Sequence, residues 1–278
     1  MASVLWKILR RSTILTKKVY EDEAYGIINE STIVRPEPTQ LHNRHGLTIK
    51  QHVSPVCSIS RFANPNGTVS VLDLNKSKLA MLRPDHQIFC AKRVWDQRAE
   101  AGYMKQIEDS FQAVADRIVD GSSCLDVSAF RIITDFFALW FLRYRSSREP
   151  DADQVLNGVV GEVSKDQQEV LEKQGLISIR PDNKLPGRMI SGMKIQRGID
   201  ELAARLEKRW GVVRSRGGEF IVPDAFGQEP IVPVAPTICL VSGCADLLLP
   251  EGQVARINQA ARRSAQRYLF ARDLEQCP

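Results

Sequence analysis

Four side chains in this sequence have the types that do acid–base or anion chemistry: His52, Glu108, Arg143 and Asp224. His52 stands three residues ahead of Pro55 in "QHVSPVCSISRFA", just before a proline-started helix. An imidazole there can act as a general base or metal ligand, or serve as a polar plug that hydrogen-bonds turn backbone. Glu108 shares a helical row with Met104, Phe111 and Ala115 and so borders an apolar face. A carboxylate in that place needs a cationic partner or has a raised pKa. Arg143 offers five fixed donors that suit phosphate or carboxylate, or a helix-end ion pair with Glu108 or Asp224. Asp224 ends a strand-like run in a turn, a place for catalytic acids and for ordinary turn residues alike. If the fold assembles them, His52, Glu108 and Asp224 form a catalytic acid/base set and Arg143 binds the substrate anion.

A second group is basic. Arg262, Arg263 and Arg267 crowd the last helical stretch and could track nucleic-acid phosphates or form a solvated face. His42, His45 and His52 have spacings that zinc could use, but no Cys or further His completes the set. There is no Gly-rich phosphate loop, no Gly-x-Ser-x-Gly elbow and no His-Glu-x-x-His. A divalent metal, if used, would sit on Glu108 and Asp224.

The elements that must position these groups are legible in outline. Ser54 caps and Pro55 starts a short helix whose Val56, Ile59 and Phe62 share one face. "NPNG" turns the chain into "TVSVLDL", a half-buried strand. The apolar stripe Tyr103, Ile107, Phe111, Val114 and Ile118 predicts a helix over 98–119, stopped by Gly121. The stretch 126–146 is apolar nearly all round and should be the central buried helix. Residues 151–175 read as a more polar helix and "IRPDNKLPGR" as a loop, while Ile195, Ile199, Leu202, Leu206 and Trp210 suggest another helix. Short strands with Gly and Pro turns follow, and 251–270 reads as a final helix. The fold class expected is α+β, a mostly helical body with a small antiparallel sheet. Residues 1–49 read as an arm or linker with a short amphipathic helix, and 50–278 as one domain.

In this order the landmarks resemble a large, uncharacterised bacterial family, the domain-of-unknown-function family 4238. Its His-x-x-Pro-x-x-(Tyr/Ser)-(Leu/Ile)-x-x-Phe opening is carried here by His52, Pro55, Ile59 and Phe62. "IEDSF" with Glu108, "FLRYR" with Arg143, "EFIVPD" with Asp224 and "VPVAPTICLV" with Pro236 follow. The closing stretch holds Asn258 and Ala265, and the likeness spans roughly residues 50–272. The resemblance implies a shared fold and marks positions; it supplies no reaction.

Composition bounds the rest. The chain has 278 residues and a net charge of +5, a mild basic balance that permits anionic partners without demanding them. Six cysteines run from Cys57 to Cys277 with no Cys-x-x-Cys pair, which predicts reduced thiols and a cytoplasmic protein. The first 19 residues carry five basic side chains and no acid, as an amphipathic helix, a presequence or a surface-binding segment would. No apolar run approaches the roughly 20 residues of a membrane span. Two functions fit. One is a phosphodiester-cleaving, nuclease-like enzyme. The other is a non-enzymatic module that binds protein or nucleic acid, toxin- or defence-associated, in which the four residues form a buried ionic network.

Overall fold

The computed structural model describes residues 36–121, 125–206, 209–226 and 230–278. The amphipathic segment expected at 1–19 lies outside these.

After a single 3₁₀ turn the chain enters strand β1 (Lys50–His52) and helix α1 (Val56–Ser60). Pro55, at φ −60° and ψ 144°, is itself the cap of α1, one residue later than the expected Ser54. The hairpin β2 (Val69–Asp73) and β3 (Lys78–Leu82) follows the Asn-Gly turn, and β4 (Cys90–Lys92) returns to pair antiparallel with β1.

The helical layer begins with one turn at Gln97–Ala99. It widens into a π segment at Glu100–Met104 and continues as α2 (Lys105–Val119). Gly102 takes φ −99° and ψ −115° inside that segment, so the wide turn and the break in helical backbone coincide. Helix α3 (Val127–Arg148) starts where the Asp126 carboxylate accepts the Ala129 amide at 2.8 Å. It is buried along most of its length, from Ala129 to Arg143, as its lack of a polar face requires. The Phe111 and Phe136 rings stack at 3.6 Å between α2 and α3.

The next stretch departs from the periodicity. Only Lys165–Lys173 is helical (α4), opened by a reciprocal Ser164–Gln167 capping box. Residues 154–155 form the short strand β5, paired with β6 (Lys184–Leu185) inside the expected loop. Helix α5 (Gly187–Ala203) packs on α3 with Gly198 beside Leu142, whose nearest carbon would lie 3.0 Å from a Cβ there. The expected helix does not run on to Trp210, which opens β7 (Trp210–Ser215).

The C-terminal third holds β8 (Val222–Pro223), β9 (Ile231–Ala235), β10 (Ile238–Ser242) and β11 (Leu247–Leu249), then α6 (Glu251–Ser264) and β12 (Tyr268–Ala271). The expected last helix thus ends at Ser264, and Tyr268 belongs to a strand.

The expectation of a mostly helical body with one small antiparallel sheet is corrected. Among the described residues helix makes up 42% and strand 19%, and the strands form four sheets of two to four strands. One runs β11-β7-β10-β9 with β11 and β7 parallel; another runs β3-β2-β12-β8. The physical reason is range. "YLFA" has no alternation because it is buried on both faces between β2 and β8, so its pattern cannot be told from a helix turn.

Among the described residues no helix is long and apolar enough to cross a membrane.

Candidate functional site

Arg143 emerges from the last third of α3 into the centre of the molecule, its side chain 2% exposed. Its Nη1 pairs with Glu108 Oε1 on α2 and also donates to the His52 carbonyl at 3.3 Å. Nη2 lies 3.5 Å from Glu100 Oε2, and Nε donates to Met104 Sδ at 3.3 Å. The guanidinium carbon sits 5.3 Å from the Trp95 ring centroid, a cation–π contact. Trp95 Nε1 in turn donates to Glu100 Oε2 at 2.5 Å. Both Glu100 and Met104 come from the π segment, whose wide turn brings them to the same guanidinium.

Three of the four expected residues therefore meet, though His52 does so through its backbone. Its ring turns the other way, with Nε2 3.5 Å from Cys90 Sγ across the β1–β4 ribbon, where the two residues are register partners. Burial pushes the His52 imidazole below its ordinary value; Arg143 adds to this, and Glu100 and Asp85 work against it. Burial raises the Glu108 carboxyl by more than Arg143 lowers it. The Cys90 thiol is pushed up to about 11, mainly by burial, which leaves it largely protonated at neutral pH.

Asp224 stands apart. Its Oδ1 accepts the Gln266 amide and its Oδ2 the Arg267 amide, both at 2.9 Å. The Trp140 indole donates to its carbonyl at 3.1 Å. The carboxylate thus holds the α6–β12 corner through these amides, and not through His52, Glu108 or Arg143. Asp224→Ala would leave the partly buried Gln266 and Arg267 amides without their acceptor. It is expected to cost about 1–3 kcal/mol, the penalty for unsatisfied buried donors. Chemical denaturation checks this; an unchanged midpoint would mean that water reaches the corner.

The corner held by Asp224 carries Arg267 into a cavity of about 520 Å³. Lys50, Lys76, Lys92 and Arg267 line it against a single carboxylate, Asp73, with His86 and Cys90 also in the wall. Asp73 accepts the Asn75 and Lys76 amides of its own turn at 3.0 and 3.2 Å, and its Oδ2 lies 3.8 Å from Lys76 Nζ. Lys50 and Lys92 are direct cross-strand partners on the β1–β4 ribbon. Like charges placed opposite one another in this way destabilise a strand pair. His86 Nδ1 accepts the Ile88 amide at 3.2 Å, so in the neutral ring Nε2 carries the proton and is a donor.

Of the three arginines expected to meet nucleic acid, only Arg267 lines this cavity. Arg262 and Arg263 are exposed on α6, and Arg262 Nη2 reaches the Cys277 carbonyl at 3.5 Å. The three histidines weighed for zinc are dispersed: His45 Nε2 contacts Asp166 Oδ1 at 2.5 Å, and His52 faces Cys90. Among the described residues no group of three or more His, Cys, Asp or Glu could hold a metal ion.

Sequence reasoning missed Lys50, Lys76, Lys92, His86, Trp95 and Glu100. The lysines become neighbours only through strand pairing across forty residues, which no local pattern records. Glu100 had one available signal, Gly102 inside an otherwise helical stretch, a residue that weakens a regular helix. No family model matches the chain, and no curated protein or solved structure matches it with significance.

Proposed function

We propose that this protein is a binding module for phosphate groups of nucleotide character, which it receives in the cavity of Lys50, Lys76, Lys92 and Arg267. The observation that carries this reading is the opposed Lys50–Lys92 pair on the cavity wall. Two lysines on directly opposed strand positions repel, and an anion bound between their ammonium groups turns that cost into attraction. The cavity volume falls in the range of small-molecule sites, and the His86 Nε2–H adds a donor to the lysines and the guanidinium.

Hydrolysis is supported less well. A phosphodiester-cleaving site at the four expected residues needs an acid, a base and an anion binder on one open wall. Here Arg143 is spent on Glu108 and Glu100 behind a buried surface, and both Asp224 oxygens are spent on backbone amides. These contacts favour the reading in which the residues hold helices to sheet. The family resemblance remains an inference from ordered landmarks and adds no reaction.

The test is binding of labelled single-stranded and duplex RNA and DNA, and of a mononucleotide, across a salt series with and without a divalent cation. Lys50→Ala, Lys92→Ala and Arg267→Ala together should reduce the slope of log K against log salt by roughly one unit per lost phosphate contact. Arg262→Ala with Arg263→Ala should leave it unchanged. Strand binding without mononucleotide binding would assign a polymer as ligand, and the reverse a free nucleotide. Absence of binding to any of them, or an unchanged slope in the triple variant, would overturn the proposal. Cleavage of the strands would replace binding by hydrolysis.

A further inference from the structure

A second cavity, of about 390 Å³, opens on the other side of β4, with Arg93, Arg180 and Arg188 in its wall. Lys92 lines both cavities. The chain itself sends a carboxylate here. Glu37, between Pro36 and Pro38, pairs through Oε2 with Arg188 Nη1 and through Oε1 with Lys165 Nζ. Arg180 Nη1 lies 3.8 Å from the same Oε2, and Arg93 Nη1 donates to the Glu37 carbonyl at 3.0 Å. One carboxylate thus collects three cations.

The other acids nearby are already committed to the body of the fold. Glu172 Oε2 accepts from Arg93 at 2.8 Å and from Arg188 at 3.0 and 2.8 Å. Asp153 pairs with Arg180 and accepts the Gly187 amide at 2.8 Å. Asp151 pairs with Lys194 and accepts the Ser191 hydroxyl at 2.8 Å. A Cβ on Gly187 would lie 1.9 Å from the Asp151 carbonyl oxygen, so this wall is built on close backbone approach. Glu37 alone arrives from outside the body, on the arm. That arm is strapped to α4 by polar contacts: the Gln40 amide to Glu169 Oε1 at 2.8 Å, Arg44 and His45 to Asp166, and Lys173 Nζ to the Gly46 carbonyl at 2.7 Å.

An ion-pair network that served only to bind the arm would fill its own space and satisfy its own donors. This one leaves a cavity, and among the described residues Arg93 Nε, on a side chain 2% exposed in the cavity wall, has no hydrogen-bond partner. We propose that the cavity is an oxyanion-binding site, for a carboxylate or phosphate group, and that Glu37 occupies it from within the chain. A ligand would take over the Arg188, Lys165 and Arg180 contacts as Glu37 withdraws, and Arg93 Nε would supply a further donor. Burial pushes the Glu37 carboxyl up, but Arg188, Lys165 and Arg180 outweigh it and hold the carboxyl below the ordinary glutamate value. The tethered occupant is therefore an anion at neutral pH, as a competing ligand would be.

The test uses the full chain with Glu37→Ala, and Glu37→Gln as the variant that keeps side-chain volume should the first fail to fold. Probes are acetate and inorganic phosphate against chloride at matched ionic strength, read by thermal shift and calorimetry. Without its internal competitor the site should bind acetate or phosphate saturably and about tenfold or more tightly than the wild type, because the apparent Kd scales inversely with the open fraction. Adding Lys165→Gln and Arg180→Gln should abolish the saturable response while leaving the buried Arg93–Glu172–Arg188 group in place. Whichever probe binds more tightly names the oxyanion. A response to anions identical in wild type and both Glu37 variants, or one that survives the Lys165 and Arg180 changes, would overturn the proposal.

Discussion

Phe137→Ala is expected to lower the unfolding free energy by about 3–5 kcal/mol, the range for truncating a buried aromatic side chain. Phe137 lies near the middle of α3 and is 3% exposed. Its ring centroid is 6.1 Å from that of Trp210 on β7, so it seals the seam between the central helix and the four-stranded sheet. Size alone does not put the cost in this range; the rigidity of the partner does. Trp210 Nε1 donates to Thr134 Oγ1 at 2.8 Å, and Thr134 donates back to the Phe130 carbonyl, also at 2.8 Å. The indole is pinned to α3 itself, one turn before Phe137, and cannot slide into the vacated space without giving up that hydrogen bond. The cavity would therefore stay largely open, and an open cavity carries the upper part of the penalty. Urea denaturation measures this as a lowered midpoint at constant slope. A midpoint within error of the wild type would show that the helix–sheet seam closes by other means.

That helix was the most legible element of the chain, and the reason is physical. A stretch with Phe130, Ile133, Phe136, Phe137 and Trp140 has no face to give to water, so its burial follows from composition alone. Short strands carry no such information. Leu247–Leu249 runs parallel to β7 and Tyr268–Ala271 sits between β2 and β8, and in each case the partner rather than the local sequence decides the conformation. Within the expected helix 151–175, the part before Lys165 is not helical for a related reason. Asp151 and Asp153 are held by Ser191, Lys194, Arg180 and Gly187, bonds that span tens of residues and override a weak local helix preference.

The candidate site divides along the same line. Glu108 was placed on the border of a buried face by helical spacing, and it lies there, beside Arg143. Glu100 is not legible in this way, because it reaches Arg143 only through the π segment that shifts the helix register around Gly102. The lysine pair of the basic cavity was invisible for want of strand register. At His52 the sequence suggests an imidazole acting as base, ligand or plug, whereas the backbone carbonyl is the group that Arg143 uses.

Arg143→Met is expected to cost about 3–5 kcal/mol at neutral pH, the range for removing one partner of a buried ion pair. Methionine keeps an unbranched, apolar side chain of similar reach, so most of the loss comes from the groups left behind. Glu108 and Glu100, with side chains 20% and 19% exposed, would face one another across the space that the guanidinium held. The Trp95 ring would lose its cation, and the His52 carbonyl and Met104 sulfur would lose a donor. The pH dependence separates the electrostatic part from the packing part. Burial already raises the Glu108 carboxyl in the wild type, with Arg143 as the main opposing influence. Without Arg143 the folded-state pKa rises further above the unfolded value. A carboxyl raised in this way favours the fold while protonated; that contribution is complete below the unfolded pKa and is lost as pH rises through the folded one. The destabilisation by Arg143→Met should therefore be smallest near pH 4 and grow toward pH 7, as the Glu108 carboxyl is forced to ionise without its partner. Adding Glu108→Gln should recover part of the neutral-pH loss and flatten this dependence. Denaturation curves for the single and double variants at the two pH values decide the matter. A loss that is the same at both would assign Arg143 a packing role against Trp95 and Met104 rather than the neutralisation of Glu108 and Glu100.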